Sequence, residues 1–152
     1  MIGKNILITG ANGYIGSSIV NRLMLHNNLY LLSRTGGNSS KNITQIKGDV
    51  TKKGIWKNIL ENIDIVFHFA AQTSSKFANA NPSEDFKTNL APIVDLVESC
   101  QKYHFSPDII FAGTATETGF TDRKSINGNI KDQPCTVYDI NKLAAEKYLQ
   151  YS

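Results

Sequence analysis

Three glycines, Gly10, Gly13 and Gly16, recur at intervals of three between a short apolar run, Ile6-Leu7-Ile8, and a segment in which Tyr14, Ile15, Ile19, Val20, Leu23 and Met24 follow a helical period. Between a strand and a helix, such a turn can bind an anion. The first glycine allows the tight turn, the second lets a pyrophosphate approach the backbone, and the third lets helix pack on strand; the helix start adds free N–H groups and a partial positive charge. The matching ligand is a dinucleotide, although ordinary glycine-bearing turns share the pattern. Arg34 ends the next apolar run, 24 residues after Gly10. At that position an acidic residue would read the ribose 2′-hydroxyl of NAD, whereas a basic one would pair with the 2′-phosphate of NADP. A guanidinium makes a charge-assisted, bidentate contact with a phosphate monoester, which favours NADP over NAD. A solvated surface arginine is the alternative.

Few other residues have the company that chemistry needs. His68 lies in an apolar stretch with no acidic or serine partner nearby in sequence, which favours a packed, hydrogen-bonded imidazole over a base or metal ligand. Gln72, Thr73 and Ser74 follow that stretch and could touch a substrate or simply face solvent. Cys100 and Cys135 have no CxxC spacing and no neighbouring ligand cluster, so neither a disulfide frame nor a metal site is expected.

The elements that must position these residues alternate along the chain. After the first strand, runs at Leu29–Leu32, Ile43–Ile46, Ile63–Phe69 and Asp108–Ala112 predict four more; helices are expected over Ile55–Glu61, Ser83–Tyr103 and from Val137 to the end. In the long helix Phe86, Leu90, Ile93, Val94 and Val97 form the inward stripe, Pro92 is an anomaly, and Pro107 marks the break before the fifth strand. Alternation of this kind implies parallel βαβ units and an α/β fold. Gly119–Pro134 has no apolar period and reads as a loop over the site. With 152 residues, 41% hydrophobic and 19% charged, the composition suits one globular domain and argues against disordered, collagenous or repeat architectures. The net charge of +3 is dispersed, so no nucleic-acid partner is expected. No stretch reaches the roughly 20 apolar residues of a membrane span, and no signal peptide opens the chain; a cytoplasmic protein without a membrane partner is expected.

With these pieces in order, the chain resembles the extended short-chain dehydrogenase/reductase family, the nucleotide-sugar epimerases and their relatives, over essentially all of its length. Gly10-x-x-Gly13-x-x-Gly16 is similar to that family's phosphate loop, and Gly48-Asp49-Val50 to the segment whose Asp holds the adenine amino group. Asp64-x-Val66-x-His68-x-Ala70-Ala71 resembles its fourth strand and following loop, and Pro82 with Asn89 resembles the start of its long helix. Thr114 falls where the family places a catalytic Ser or Thr, and Tyr138-x-x-x-Lys142 follows 24 residues later. The resemblance implies a Rossmann-type doubly wound parallel β-sheet flanked by helices. It implies cofactor contacts from Gly10, Asn12, Gly13, Tyr14, Ile15 and Gly16, from Arg34, Asp49 and Val50, from Phe69, Ala70 and Ala71, and from Tyr138 and Lys142. Thr114, Tyr138 and Lys142 become the catalytic residues.

Tyr138 and Lys142, four apart, project from one helical face. An ammonium beside the phenol would favour tyrosinate, lowering its pKa from about 10 towards that of a general base for a sugar hydroxyl, with Thr114 orienting the same oxygen. The related 4,6-dehydratases carry Asp-Glu after the catalytic Thr, where this chain has Ala115-Thr116, which disfavours dehydration. Thr118 also replaces the Tyr common before Gly119. An NAD(P)-dependent nucleotide-sugar epimerase or related sugar oxidoreductase stands first. An NADPH-dependent ketoreductase of a nucleotide-linked sugar stands second, and a non-catalytic dinucleotide-binding module third. Family members usually run about twice as long, so residues 1–152 are expected to form the cofactor domain without a C-terminal substrate domain and to be inactive alone. The family implies a homodimer through the Tyr138 helix, where Leu143, Ala144, Tyr148 and Leu149 are expected to be apolar surface.

Overall fold

The computed structural model describes residues 1–119 and 131–151, so most of the expected loop over the site lies outside the described residues. Strands β1 (Asn5–Thr9), β2 (Asn28–Ser33), β3 (Ile43–Lys47), β4 (Ile65–His68) and β5 (Asp108–Phe111) form one parallel sheet in the order β3-β2-β1-β4-β5. Central β1 pairs on both sides, with Ile6 opposite Leu29 of β2 and opposite Ile65 of β4. The strand order therefore reverses beside β1, where an open α/β sheet leaves a crevice at the strands' C-terminal ends.

Burial on both faces explains the uninterrupted apolar run of β1, whose Ile6, Leu7 and Ile8 are fully enclosed. Ile6, Ile8, Leu29, Leu31, Ile65 and Phe67 make one face, covered by Ile19, Val20 and Leu23 of α1 (Tyr14–Leu23) and by Met24, which follows it. Leu7, Leu32 and Val66 make the other, packed with Trp56, with Ile93 and Leu96 of α4 (Ala91–Tyr103) and with Ala145 of α5 (Val137–Tyr151). Each strand's alternate side chains thus serve two cores.

Several expectations change. The helix over Ile55–Glu61 is a single 3₁₀ turn, Trp56–Asn58, between left-handed residues Gly54 and Asn62. Its Trp56 is a buried plug whose Nε1–H donates to the Pro92 carbonyl at 2.9 Å. The long helix divides into α3 (Pro82–Asn89) and α4 at Leu90, because Pro92 lies in the first turn of α4, where its missing N–H costs nothing. The inward stripe holds for Ile93 and Val97 but not for Phe86, which is 47% exposed; its neighbour Asp85 is fully buried instead. Tyr14 (96%) and Ile15 are exposed at the start of α1, so its apolar stripe begins at Ile19. A short helix missed in the sequence, α2 (Ser75–Ala80), starts at Ser74, whose hydroxyl accepts the Phe77 N–H at 3.2 Å. On α5, Leu149 packs against the core rather than forming surface, while Ile140, Tyr148 and Tyr151 are exposed.

Candidate active site

The glycine turn is built as its spacing requires. Gly10 has φ +67°, and a Cβ there would fall 2.7 Å from the Ala70 backbone nitrogen; a Cβ on Gly16 would fall 2.3 Å from the Gly10 carbonyl oxygen. Side chains are therefore excluded by the loop after β4 and by the helix–strand contact. The Gly13 N–H closes the turn onto the Gly10 carbonyl at 2.9 Å. No acidic residue lies in the first turn of α1 and no side chain caps it, so its N–H groups stay available to an anion.

Thr9, unnoticed in the sequence, organises the crevice. Its buried Oγ1 accepts the N–H groups of Phe69 and Ala70 at 3.2 and 3.1 Å, fastening the loop after β4 to the end of β1. With both acceptor positions used, the hydroxyl donates to His68 Nδ1 at 3.2 Å. Burial, and secondarily the charge of Lys142, push the imidazole down to about 3, so His68 is neutral. It is the packed, hydrogen-bonded residue expected, between the rings of Trp56 and Phe111.

A cleft of about 730 Å³ runs along the C-terminal ends of β1, β2 and β4. Of the expected cofactor contacts, Gly10, Asn12, Gly13, Arg34, Asp49, Val50, Phe69, Ala70 and Ala71 line it. Gly16 is buried behind it, and Tyr14 and Ile15 stand at the start of α1. At the end of β2 no acid among the described residues faces the cleft. Ser33 Oγ accepts the Gly36 N–H at 3.1 Å, and Arg34 is exposed. The Asp49 carboxylate accepts the Thr51 N–H and hydroxyl, each at 2.9 Å. These bonds, the backbone one first, hold it below the usual carboxylate range, aided by the charges of Arg34 and Lys52.

Thr114, Tyr138 and Lys142 come together where β5 meets α5. A capping box begins the helix: Thr136 Oγ1 accepts the Asp139 N–H at 3.2 Å, and Asp139 Oδ2 accepts the Thr136 N–H at 3.0 Å. Asp139 Oδ1 also takes a short hydrogen bond from Thr116, whose Oγ1 lies 2.7 Å from that of Thr114. Burial raises the Asp139 pKa, but the bonds from Thr116 and Thr136 outweigh it and hold the carboxyl low. The start of α5, which carries Tyr138, is thereby locked to Thr114 through Thr116 and Asp139.

The expected lowering of the phenol by Lys142 is not realised in this geometry. Burial pushes Tyr138 above its ordinary value, the nearby Thr114 hydroxyl opposes this, and the charges of Asp85 and Asp139 add to it. Lys142, only 3% exposed, places Nζ 3.8 Å from the centre of the Phe111 ring. Burial brings its amine down to about 8, against the opposing charges of Asp85 and Glu117. These two acids, like Thr9 and Thr116, carry no motif in the sequence; Asp139 has one, the Thr136-x-x-Asp139 spacing of a capping box.

A family model described as the NAD dependent epimerase/dehydratase family matches residues 6–152. UDP-glucuronate 4-epimerase 1 of Arabidopsis thaliana is 28% identical across 95% of this chain and 38% of its own length. The structure of UDP-N-acetylglucosamine 4-epimerase from Methanobrevibacter ruminantium M1, in complex with UDP-N-acetylmuramic acid, superposes with a TM-score of 0.89 at 26% identity, covering 99% of this chain and 51% of that one. MoeE5 in complex with UDP-glucose and NAD gives 0.83 at 26% identity, covering 95% and 47%. The chain thus spans about half or less of these relatives' length.

Proposed function

Because the chain belongs to the NAD dependent epimerase/dehydratase family, we propose that it holds the cofactor and proton-transfer machinery of a nucleotide-sugar epimerase or closely related sugar oxidoreductase. The observation that carries this is the hydrogen-bonded chain Thr114–Thr116–Asp139, which ties Thr114 to the start of α5 that carries Tyr138, one turn before Lys142 and beside a glycine-lined cleft. The open first turn of α1 suits the pyrophosphate, Arg34 the adenosine end, and Lys142 the nicotinamide ribose. Bound there, the nicotinamide supplies the hydride acceptor or donor. Tyr138 exchanges a proton with the sugar oxygen, and Thr114 orients that oxygen. The similar proteins are epimerases and a protein complexed with UDP-glucose, which supports a UDP-sugar substrate. Their greater length supports sugar contacts drawn largely from residues outside these 152, and a homodimer would cover the exposed apolar residues of α5.

One observation favours the ketoreductase reading. Arg34 lines the cleft at the end of β2, which carries no acid among the described residues, and this favours NADPH, the cofactor that a reductase consumes.

Titration of the chain with NADPH and NADH tests the cofactor assignment. NADPH should bind at least tenfold more tightly, and Arg34→Ala should erase most of that difference; a tenfold preference for NADH overturns it. Tyr138→Phe should leave dinucleotide affinity within about twofold while removing turnover wherever turnover is measurable. Turnover of a nucleotide sugar by residues 1–152 alone would refute the placement of sugar contacts elsewhere.

A further inference from the structure

Asp85 is a fully buried carboxylate on α3, and three amide groups from three parts of the chain converge on it. Gln72 Nε2 and Asn89 Nδ2 donate to Oδ1 at 2.7 and 2.8 Å, and Asn141 Nδ2 donates to Oδ2 at 2.7 Å. Asn89, one turn along α3, also grips the backbone of Gln72: its Oδ1 accepts the N–H at 3.0 Å and its Nδ2 donates to the carbonyl at 2.9 Å. Gln72 lines the dinucleotide cleft, and Asn141 immediately precedes Lys142 on α5. One carboxylate therefore joins the cleft loop to the helix that carries Tyr138 and Lys142. Burying such a group is costly unless its charge has partners. Its direct partners are neutral amides, so its charge is left to act on the groups beyond them.

We infer that Asp85 is a positioning residue, clamping α5 to α3 through Asn141 and supplying the fixed negative charge against which the Lys142 ammonium is held. The inference rests on the reading of Tyr138 and Lys142 as the proton-handling pair. Lys142 Nζ lies over the Phe111 ring of β5, and the charges that act on it are those of Asp85 on α3 and Glu117 in the turn after β5; His68 of β4 is neutral. On its own helix stand Tyr138 one turn before and Glu146 one turn after. Asp85 is the larger of the two charges that oppose the loss of the Lys142 proton, and the same charge raises the phenol of Tyr138. It thus favours ammonium and neutral phenol together.

Asp85→Asn separates charge from shape. Its one remaining oxygen can still accept from Gln72 and Asn89, and its new amide can donate to Asn141 once that side chain turns over. In the 152-residue chain the Lys142 amine and the Tyr138 phenol are titrated by NMR with labelled lysine and tyrosine, assigned with Lys142→Arg and Tyr138→Phe. Asp85→Asn should lower both midpoints, that of Lys142 by about one pH unit, with little change in melting. The double variant Asp85→Asn/Asn141→Asp, which moves the carboxylate across the 2.7 Å hydrogen bond, should return Lys142 to near its native midpoint. Unmoved midpoints in a folded Asp85→Asn protein overturn the inference, as does a folded double variant whose Lys142 stays low. If Asp85→Asn does not fold, recovery of both fold and midpoint in the double variant supports the inference, and its unfolding overturns it. Failure of the functional reading would show in the Tyr138→Phe experiment, leaving these titrations unaffected.

Discussion

Gly10 and Gly54 share a left-handed backbone, with φ of 67° and 78°, but not their surroundings. A Cβ on Gly54 would meet nothing within 4 Å; one on Gly10 would fall 2.7 Å from the Ala70 nitrogen and 2.8 Å from the Phe69 carbonyl carbon. Gly54→Ala therefore costs the backbone term alone, about 1–2 kcal/mol. Gly10→Ala adds displacement of the Phe69–Ala70 backbone, which breaks both N–H bonds to Thr9 Oγ1. At about 1 kcal/mol net for each bond, the total is about 3–4 kcal/mol. A chain of this size loses about 2–4 °C in Tm per kcal/mol. Both variants share the same unfolding entropy, so the fall for Gly10→Ala should be about twice or more that for Gly54→Ala. Circular dichroism melts measure this ratio. Dinucleotide titration supplies the second readout: affinity is retained in Gly54→Ala and falls at least tenfold in Gly10→Ala, because the displaced loop lines the cleft. Equal melting shifts would refute the claim that close backbone approach, rather than φ alone, requires Gly10.

Thr9→Val keeps the shape of a buried residue but strands the Ala70 N–H and leaves the Phe69 N–H only its 3.3 Å bond to the Thr9 carbonyl, so it should cost about 1–3 kcal/mol and speed amide exchange at Ala70; unchanged exchange would show that Thr9 does not hold the loop. His68 is depressed to about 3 in the fold against about 6.5 when unfolded. The stability it contributes is complete above pH 6.5 and declines as pH falls towards 3, by about 1.4 kcal/mol per pH unit. His68→Asn should flatten the stability profile between pH 6 and 4 by that slope, and parallel profiles would contradict a neutral buried imidazole.

What could be read from the sequence was whatever is local or periodic. Gly10, Gly13 and Gly16 announce the turn because each must lack a side chain for a nearby backbone reason, and Ile6-Leu7-Ile8 announces a central strand because both of its faces are covered. Arg34 could be placed because β2 is short and its end lies at the cleft. Thr9 and Thr116 stayed hidden because their roles are hydrogen bonds to residues brought near only by folding, over separations of 59 to 61 positions for Thr9 and 23 between Thr116 and Asp139, whose capping box with Thr136 is local.

The misreading of α3 has the same physical origin. A continuous helix through Pro92 would carry the apolar phase of Ile93 and Val97 back to Phe86, but a separate α3 chooses its own rotation. One position along a helix is about 100°, enough to turn Phe86 outward and Asp85 inward. An apolar count always prefers the phenylalanine, since the stabilisation of Asp85 comes from amides at positions 72, 89 and 141. With α3 so turned, the carboxylate meets Asn141 beside Lys142, and the motif that looked self-sufficient as Tyr-x-x-x-Lys becomes dependent on a residue more than fifty positions earlier. The spacing places phenol and amine on one face; the hydrogen bond that ties that helix to α3 comes from outside the motif.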